Sequence, residues 1–257
     1  MKETDQAQNL REFVSKLEVR KGEWQANARR TSEQVAAAFA PRQSEFNRRI
    51  TEIRAMGGSR KKRLRALLTV VSDVRAVAAP FVPCRKGCSG CCYQQVAIAQ
   101  LEAEHIHDCH GHQMARVIQR ASIDSVGTFG RNTPCTFLDA DGNCAVYDAR
   151  PFACRNQVSL DIDSLLCQPE NIQLAQQRHP ASSGVPMLMG GPLQEVYFEL
   201  IGRDVVADIR TFFPPHATAL NENSGGVDTR WQRAMKMKCA LTAGRISAYA
   251  WRCRTMA

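Results

Sequence analysis

The sequence predicts a mainly α-helical protein with a small cysteine-rich α+β metal-binding module, built from a short strand, a β-hairpin and helices. Apolar residues recur at helical spacing through residues 1–79, and nine of the eleven cysteines fall between Cys84 and Cys167. A length of 257 residues with 44% hydrophobic residues is sufficient for a buried core. A small disulfide-stapled protein is therefore excluded.

Residues 1–79 are predicted to form an N-terminal helical region of three amphipathic segments. Pro41 separates the first two segments and the Gly-Gly-Ser run at 57–59 separates the last two, because proline and glycine interrupt helices. Pro80 and Pro83 end the third segment just before the first cysteine of the module. The apolar positions are Leu10, Phe13, Val14 and Leu17; Phe46, Ile50 and Ile53; and Leu64, Leu67, Leu68, Val71 and Val74.

Residues 80–175 are predicted to form the cysteine-cluster module. A short strand at 96–98 leads into a helix from about Gln100 to Gln119. Residues 135–147 favour a β-hairpin around the turn at 139–142, whose glycine tolerates a positive φ. This hairpin would bring two cysteines of the module together.

The remaining elements follow the hairpin. Arg150-Pro151 suits the first turn of a helix that places Cys154 beside the hairpin. Residues 176–257 are predicted to form a C-terminal helical region with a loop-rich tail. Its main element is one amphipathic helix from Pro192 to Phe213.

The most specific motif in the chain is Cys84-x3-Cys88-x2-Cys91-Cys92. Gaps of two or three residues let successive thiolates turn toward one metal centre. Zinc takes four tetrahedral ligands and a cubane iron–sulfur cluster takes a thiolate at each iron, and this spacing is compatible with both. The cysteines predicted to complete the coordination are Cys135, Cys144 and Cys154, with Cys167 as the eighth candidate.

Cations are expected beside these cysteines, because crowded thiolates carry excess negative charge even with a metal bound. The candidates adjacent in sequence are Arg85, Lys86, Arg150 and Arg155. Cysteine is also a common buried apolar residue, which offers a purely structural interpretation. Seven cysteines at this spacing favour metal binding instead.

Several blocks occur in a fixed order: the cysteine run at 84–92, then residues 134–138, 142–147 and 150–155. Together they resemble the YkgJ-type cysteine cluster family, a zinc- or iron-chelating domain, over about residues 80–170. The resemblance implies metal binding by the matching cysteines, although most members have no assigned reaction. The wider family includes a flagellin lysine methylase, so the resemblance also implies that an enzyme can carry this cluster.

The spacing of Cys84, Cys88 and Cys91 is shared with the radical S-adenosylmethionine enzymes, in which three thiolates leave one iron of a cluster open. Two features of the sequence argue against that class. Gly90 stands where an aromatic residue usually precedes the third cysteine. No run of alternating strands and helices follows to build a barrel.

A second metal site is conceivable on the following helix, where His105, Cys109 and His112 would share one face. A histidine-rich polar face without metal is the favoured interpretation, because the family resemblance does not require these residues. The last two cysteines, Cys239 and Cys253, lie far from the others. They are expected to be packing residues or exposed thiols.

The positive charge lies outside the module. Residues 1–79 hold 17 basic and 9 acidic residues, a balance of +8 within the chain's +9. The basic cluster at 60–65 suits salt-dependent phosphate contacts, although the scarcity of interleaved aromatic residues is typical of a solvated helical surface. The sequence is therefore compatible with two kinds of partner: a nucleic acid bound through residues 29–65, and another protein.

The sequence thus predicts an intracellular metal-binding protein that holds zinc or an iron–sulfur cluster, with metal binding coupled to folding. Residues 1–5 lack an apolar secretory stretch and no apolar run reaches spanning length, so a cytoplasmic location without membrane contact is expected. An iron–sulfur-dependent enzyme with redox or group-transfer chemistry, such as protein methylation, is one alternative. A nucleic-acid-associated adaptor is the other.

Overall fold

The computed structural model describes residues 2–118, 133–188 and 191–214, and it is mainly helical with two pairs of short strands, which confirms the predicted fold class. The helices are α1 (Lys2–Phe39), α2 (Gln43–Ala55), α3 (Arg60–Ala78), α4 (Gln100–His110), α5 (Phe152–Asn156), α6 (Pro169–Gln176), α7 (Pro192–Ile201) and α8 (Ile209–Phe212). The strands are β1 (Ala97–Ala99), β2 (Val158–Ser159), β3 (Met187–Leu188) and β4 (Val206–Asp208). Within these ranges every helix is too short or too polar to cross a lipid bilayer.

The three N-terminal helices and their joints agree with the prediction. Pro41 lies in a 3-10 turn between α1 and α2, where its missing amide proton costs no helical hydrogen bond. Ser59 is the N-cap of α3, and its hydroxyl accepts a hydrogen bond from the amide of Lys62 at 3.3 Å. Pro80 lies in a second 3-10 turn directly after α3.

The apolar face of α3 packs into a core that draws residues from distant parts of the chain. Leu64 and Leu67 are fully buried in this core. Phe152 of α5 and Tyr197 of α7 belong to the same cluster, and their rings stack with centroids 4.5 Å apart. The N-terminal helices, the cysteine segment and α7 therefore share one core.

The long helix α1 also fixes the segment that leads to Cys167. Arg20 forms ion pairs with the carboxylates of Asp161, at 2.5 Å, and Asp163, at 2.7 Å. Asp161 is fully buried, so this contact is shielded from solvent. Leu17, almost one turn earlier, is fully buried in an apolar cluster shared with α6.

The prediction of a single helix from Pro192 to Phe213 is wrong. α7 ends at Ile201, and the chain turns at Gly202, whose φ of 52° favours glycine. β4 then pairs with β1 in an antiparallel register that sets Ala207 opposite Ile98. Helical apolar spacing could not reveal this strand, because its partner lies far away in the sequence.

α4 is shorter than the helix predicted to reach Gln119. It ends at His110 because Gly111 adopts the left-handed conformation, with a φ of 73°, and closes the last turn. Residues 111–118 continue without helical structure. Gln119 and the predicted tail lie outside the described residues.

The predicted hairpin at 135–147 forms a tight turn but not a two-stranded ladder. Gly142 has a φ of 78°, as the turn requires. Leu138 and Cys144 form a single antiparallel bridge. The chain then enters a 3-10 helix, Tyr147–Ala149, which leaves no length for a second strand.

A buried carboxylate ties α4, α5 and α7 together. Glu102 is 1% exposed and accepts hydrogen bonds from the amides of Ala99, at 3.0 Å, and Phe152, at 2.6 Å, and from the hydroxyl of Tyr197. Burial raises the pKa of this carboxyl, and the three hydrogen bonds oppose that rise. Glu102 thus stabilises the start of α5, which carries one of the candidate ligands.

Glu102→Gln is expected to reduce the free energy of unfolding by about 1–3 kcal/mol, because the amide group leaves a buried donor without an acceptor. Urea unfolding followed by circular dichroism measures the change. The matched control is Glu23→Gln on the exposed surface of α1, for which a change below about 0.5 kcal/mol is expected. Equal stabilities of the two variants would contradict this role of Glu102.

Candidate metal centre

A pocket of about 740 Å³, a volume that includes its part open to solvent, is lined by six of the eight predicted cysteine ligands. They are Cys88, Cys91, Cys92, Cys135, Cys144 and Cys154. All eight predicted thiols, including those of Cys84 and Cys167, are free. The fold thus gathers thiols from separate segments of the chain without joining them in disulfides.

The loop that carries the first four cysteines is folded by its own backbone. The amide of Cys88 donates to the carbonyl of Arg85 at 3.1 Å, which makes the first turn. The 3-10 helix Gly90–Tyr93 makes the second turn and carries Cys91 and Cys92. Because such a helix has three residues per turn, these neighbouring side chains leave it in directions about 120° apart.

The other pocket cysteines come from the hairpin turn and α5. The amide of Cys135 donates to the carbonyl of Cys92 at 2.7 Å, so the turn is attached directly to the cysteine loop. Cys144 lies at the far end of the same turn. Cys154 lies in α5, whose N-cap is Pro151, in agreement with the predicted helix start.

Cys84 and Cys167 lie next to β2, and neither lines the pocket. The amide of Ser159 donates to the Sγ of Cys84 at 3.3 Å, and the Ser159 side chain is hydrogen-bonded to Cys167. Cys167 also lies against Gly90, where an added Cβ would be 2.5 Å from the Cys167 carbonyl oxygen. Ser159 therefore contacts both cysteines, and the backbone of Cys167 lies against the cysteine loop.

The thiols differ in how readily they lose a proton. A hydrogen bond from Cys92 lowers the pKa of Cys91 to about 6, and the same bond raises the pKa of Cys92. Burial raises the pKa of Cys135 to about 11 and that of Cys167 to about 12. Because thiolates and not thiols bind metals, Cys91 is the first ligand available and metal affinity should rise with pH.

Arg150 and Lys86, two of the four predicted cations, lie at the pocket cysteines. The Arg150 guanidinium lines the pocket, stacks 3.7 Å from the centroid of the Tyr147 ring, and acts electrostatically on Cys91 and Cys154. The ammonium of Lys86 lies 5.8 Å from the centroid of the same ring. Both cations can offset thiolate charge.

The other two predicted cations have different contacts. Arg155 is largely buried, and this burial lowers its pKa to about 10. Its Nε donates to the carbonyl of Arg150 at 2.6 Å, so it stabilises the segment that carries Cys154. Arg85 is exposed and contributes its backbone carbonyl to the amide of Cys88.

Sequence analysis did not select two further cations that act on the thiols. Arg75, in the last turn of α3, acts electrostatically on Cys91. Arg210 of α8 donates to the carbonyl of Cys92 at 3.1 Å and acts electrostatically on Cys135. Neither arginine is close to a cysteine in the sequence, so only the packing of α3 and α8 reveals them.

The histidine-rich segment does not place His105, Cys109 and His112 on one face of a helix within the described residues. α4 ends before His112, whose ring packs 4.9 Å from that of Phe137. Burial lowers the pKa of His105 to about 4, and its Nδ1 lies 3.7 Å from the Sγ of Cys109. These contacts support the favoured interpretation of a packed polar face.

The donor set of the cysteine pocket fits zinc or iron. The described lining contains six thiols and neither a carboxylate nor an imidazole, and such all-sulfur sites select zinc or iron–sulfur clusters. In the described part of the chain, no three cysteine, histidine or acidic side chains already surround a common metal position.

A mainly helical scaffold with a buried all-cysteine site defines a class, the proteins with a thiolate metal-binding domain. Residues 83–177 match the CxxCxxCC family, described as "Putative zinc- or iron-chelating domain". The match covers the segment that carries the cysteine motif and confirms its resemblance to a zinc- or iron-chelating domain. Comparisons with curated proteins and with solved structures found no match.

Gly90→Ala is expected to destabilise the protein by about 1–3 kcal/mol, because the new methyl group would overlap the backbone of Cys167 and force it away. Thermal and urea unfolding measure the loss. Gly57→Ala is the matched control, since nothing lies within 4 Å of a Cβ at that position. If both variants unfold like the original protein, the close approach of Cys167 to the cysteine loop is wrong.

Proposed function

We propose that this protein chelates zinc or iron through the cysteines at 84, 88, 91, 92, 135, 144, 154 and 167. The observation that carries the proposal is the convergence of six free thiols from three chain segments on one pocket. An inert core would not require this arrangement, because thiols that merely pack could be scattered through the apolar clusters. The family description of residues 83–177 supports the same chemistry.

Each thiolate supplies a soft, charged ligand, which is the donor type that zinc and iron–sulfur centres share. Arg150 lines the pocket, and Arg210 donates a hydrogen bond to the carbonyl of Cys92, so the positive charge of both side chains is available to offset the thiolates. A bound metal would contribute cross-links between the cysteine loop, the hairpin turn and α5. We therefore propose a chelating domain whose metal also organises the surrounding structure.

Metal analysis of anaerobically purified full-length protein, combined with a visible absorption spectrum, tests the proposal. Colourless protein with stoichiometric zinc would identify the metal as zinc, and a brown protein with iron and sulfide would identify an iron–sulfur cluster. Anaerobic handling is essential because oxygen destroys such clusters and allows zinc to replace them. Protein that binds neither metal, even after reconstitution, would overturn the proposal.

Removal of the metal by a chelator is expected to lower the thermal midpoint and to increase proteolysis within residues 83–177. The physical reason is that short loops and α5 hold this region, so the metal cross-links contribute directly to folding. Circular dichroism melting and limited proteolysis measure the effect, and adding metal back should reverse it. Unchanged melting and proteolysis after complete metal removal would contradict the coupling.

An enzyme whose centre supports redox or group-transfer chemistry is the second candidate. The observation in its favour is the mixed lining of the pocket, because small-molecule sites combine apolar walls with a few polar groups. Apolar side chains, including Phe137 and Ile209, line it together with the amide of Gln157. A coordination position open to added small ligands, seen as a spectral shift, would favour the enzyme, and a closed all-cysteine site would favour a structural role.

Nucleic-acid binding through the basic helices is the weaker proposal, because many of those cations are paired within the protein. Arg49 pairs with Asp73, and Arg54 pairs with Glu199. Further ion pairs join Arg60 to Asp204 and Lys61 to Asp108. These pairs reduce the charge available to phosphates, and binding that is absent at physiological salt would exclude this partner.

A further inference from the structure

We infer that the module holds two metal centres, each with four cysteine ligands. The loop centre is formed by Cys84, Cys88, Cys91 and Cys167, and the hairpin centre is formed by Cys92, Cys135, Cys144 and Cys154. This inference rests on the proposed chelating function and adds the number and membership of the centres. Four thiolates complete the tetrahedral coordination of one zinc or iron ion, so eight are sufficient for two.

The loop centre is supported by contacts beside β2. Ser159 contacts both Cys84 and Cys167, through its amide at 3.3 Å in the first case and through its side chain in the second. Cys88 and Cys91 have the two-residue gap that lets a pair of cysteines bind one metal. Gly90 lies between Cys88 and Cys91 and is in contact with the Cys167 backbone, so this contact places Cys167, the fourth ligand, beside the pair.

The hairpin centre is supported by the backbone that joins its members. The amide of Cys135 donates to the carbonyl of Cys92 at 2.7 Å. Cys144 lies at the end of the turn that begins at Cys135. The amide of Phe152, the first residue of α5, donates a hydrogen bond of 2.6 Å to the Glu102 carboxylate, and this contact orients the helix that carries Cys154. All four members line the pocket, whereas two members of the loop centre do not.

The boundary between the centres falls within one dipeptide. Cys91 and Cys92 are adjacent in the 3-10 helix Gly90–Tyr93 and their thiols are hydrogen-bonded to each other, so the two centres would meet at this dipeptide. Cys88 and Cys91 of the loop centre also line the pocket that contains the four cysteines of the hairpin centre. The inferred centres are thus neighbours in contact and not remote sites.

Each centre also has cations of its own. Arg75 of α3 acts on Cys84 in the loop centre, and Arg210 of α8 acts on Cys135 in the hairpin centre. A zinc ion with four thiolates carries a net charge of about −2, so a separate cation at each centre reduces the repulsion between two such complexes. Arg150 acts on both centres, through Cys91 in the loop centre and through Cys144 in the hairpin centre.

Metal stoichiometry of the full-length protein tests the inference without any substitution. Metal-free protein is reconstituted anaerobically with zinc, and bound zinc per chain is measured by mass spectrometry. Two ions per chain are expected. One ion per chain would overturn the two centres while leaving the chelating function intact, and no bound metal would overturn the proposed function itself.

Paired substitutions test the membership of each centre. Cys84→Ser with Cys167→Ser should retain one zinc ion, as should Cys135→Ser with Cys154→Ser. The cross pair, Cys84→Ser with Cys135→Ser, removes the same number of thiols but damages both centres, so it should lose both ions. A protein that loses both ions in every pair, while circular dichroism shows it folded, would instead contain one shared cluster and overturn the inference.

If a paired variant fails to fold, native mass spectrometry of the unaltered protein during stepwise zinc addition decides, because two separate centres give a populated one-zinc species before the two-zinc species. If the isolated protein contains iron–sulfur clusters, iron and sulfide per chain are compared in the same way, and each within-centre pair should halve both. Loss of all iron in those pairs would contradict the division.

Discussion

Repulsion among the thiolates that metal binding would create is the constraint that explains where the cations of this structure lie. Two unit charges 4 Å apart repel by about 4 kcal/mol at an effective dielectric constant of 20, so deprotonation of several cysteines in one pocket carries a large electrostatic cost. Both the metal ions and the arginines must contribute positive charge that offsets the thiolates. The arginines arrive from α3, from the turn before α5 and from α8, so charge neutralisation requires elements far outside the cysteine motif.

The scaffold meets this requirement by packing α3, α5 and α7 into one apolar core. Packing of Leu64 and Leu67 against Phe152 and Tyr197 fixes α3 relative to α5 and α7. The pairing of β1 with β4 then brings α8 and its arginine to the cysteine loop. The apolar core thus sets the positions of the cations, and the cations in turn permit the close approach of the thiolates.

Much of this arrangement could be predicted from the sequence, because the information is local. Proline at 41 and the glycine pair at 57–58 marked the ends of helices, and short gaps between cysteines marked the metal motif. The break at Gly202 was missed because the apolar spacing on both sides of it resembles one helix. Arg75 and Arg210 were missed for a related reason, since no sequence pattern records that a residue of a distant helix will face a thiol.

Cys167 illustrates the same limit within the motif itself. Its separation from the other cysteines left its part in the site uncertain at the level of sequence, and its placement depends on Gly90 having no side chain. A glycine between two cysteines is usually explained by loop flexibility. Here it also provides the space through which a distant segment reaches the loop.

The contact between α1 and the segment at 161–163 changes how the N-terminal helix is understood. Arg20 lies far from every cysteine in the sequence, yet its ion pairs hold the residues that lead directly to Cys167. A substitution in the first helix can therefore disturb the cysteine segment through a single side-chain contact, although Arg20 and Asp161 are 141 residues apart in the sequence.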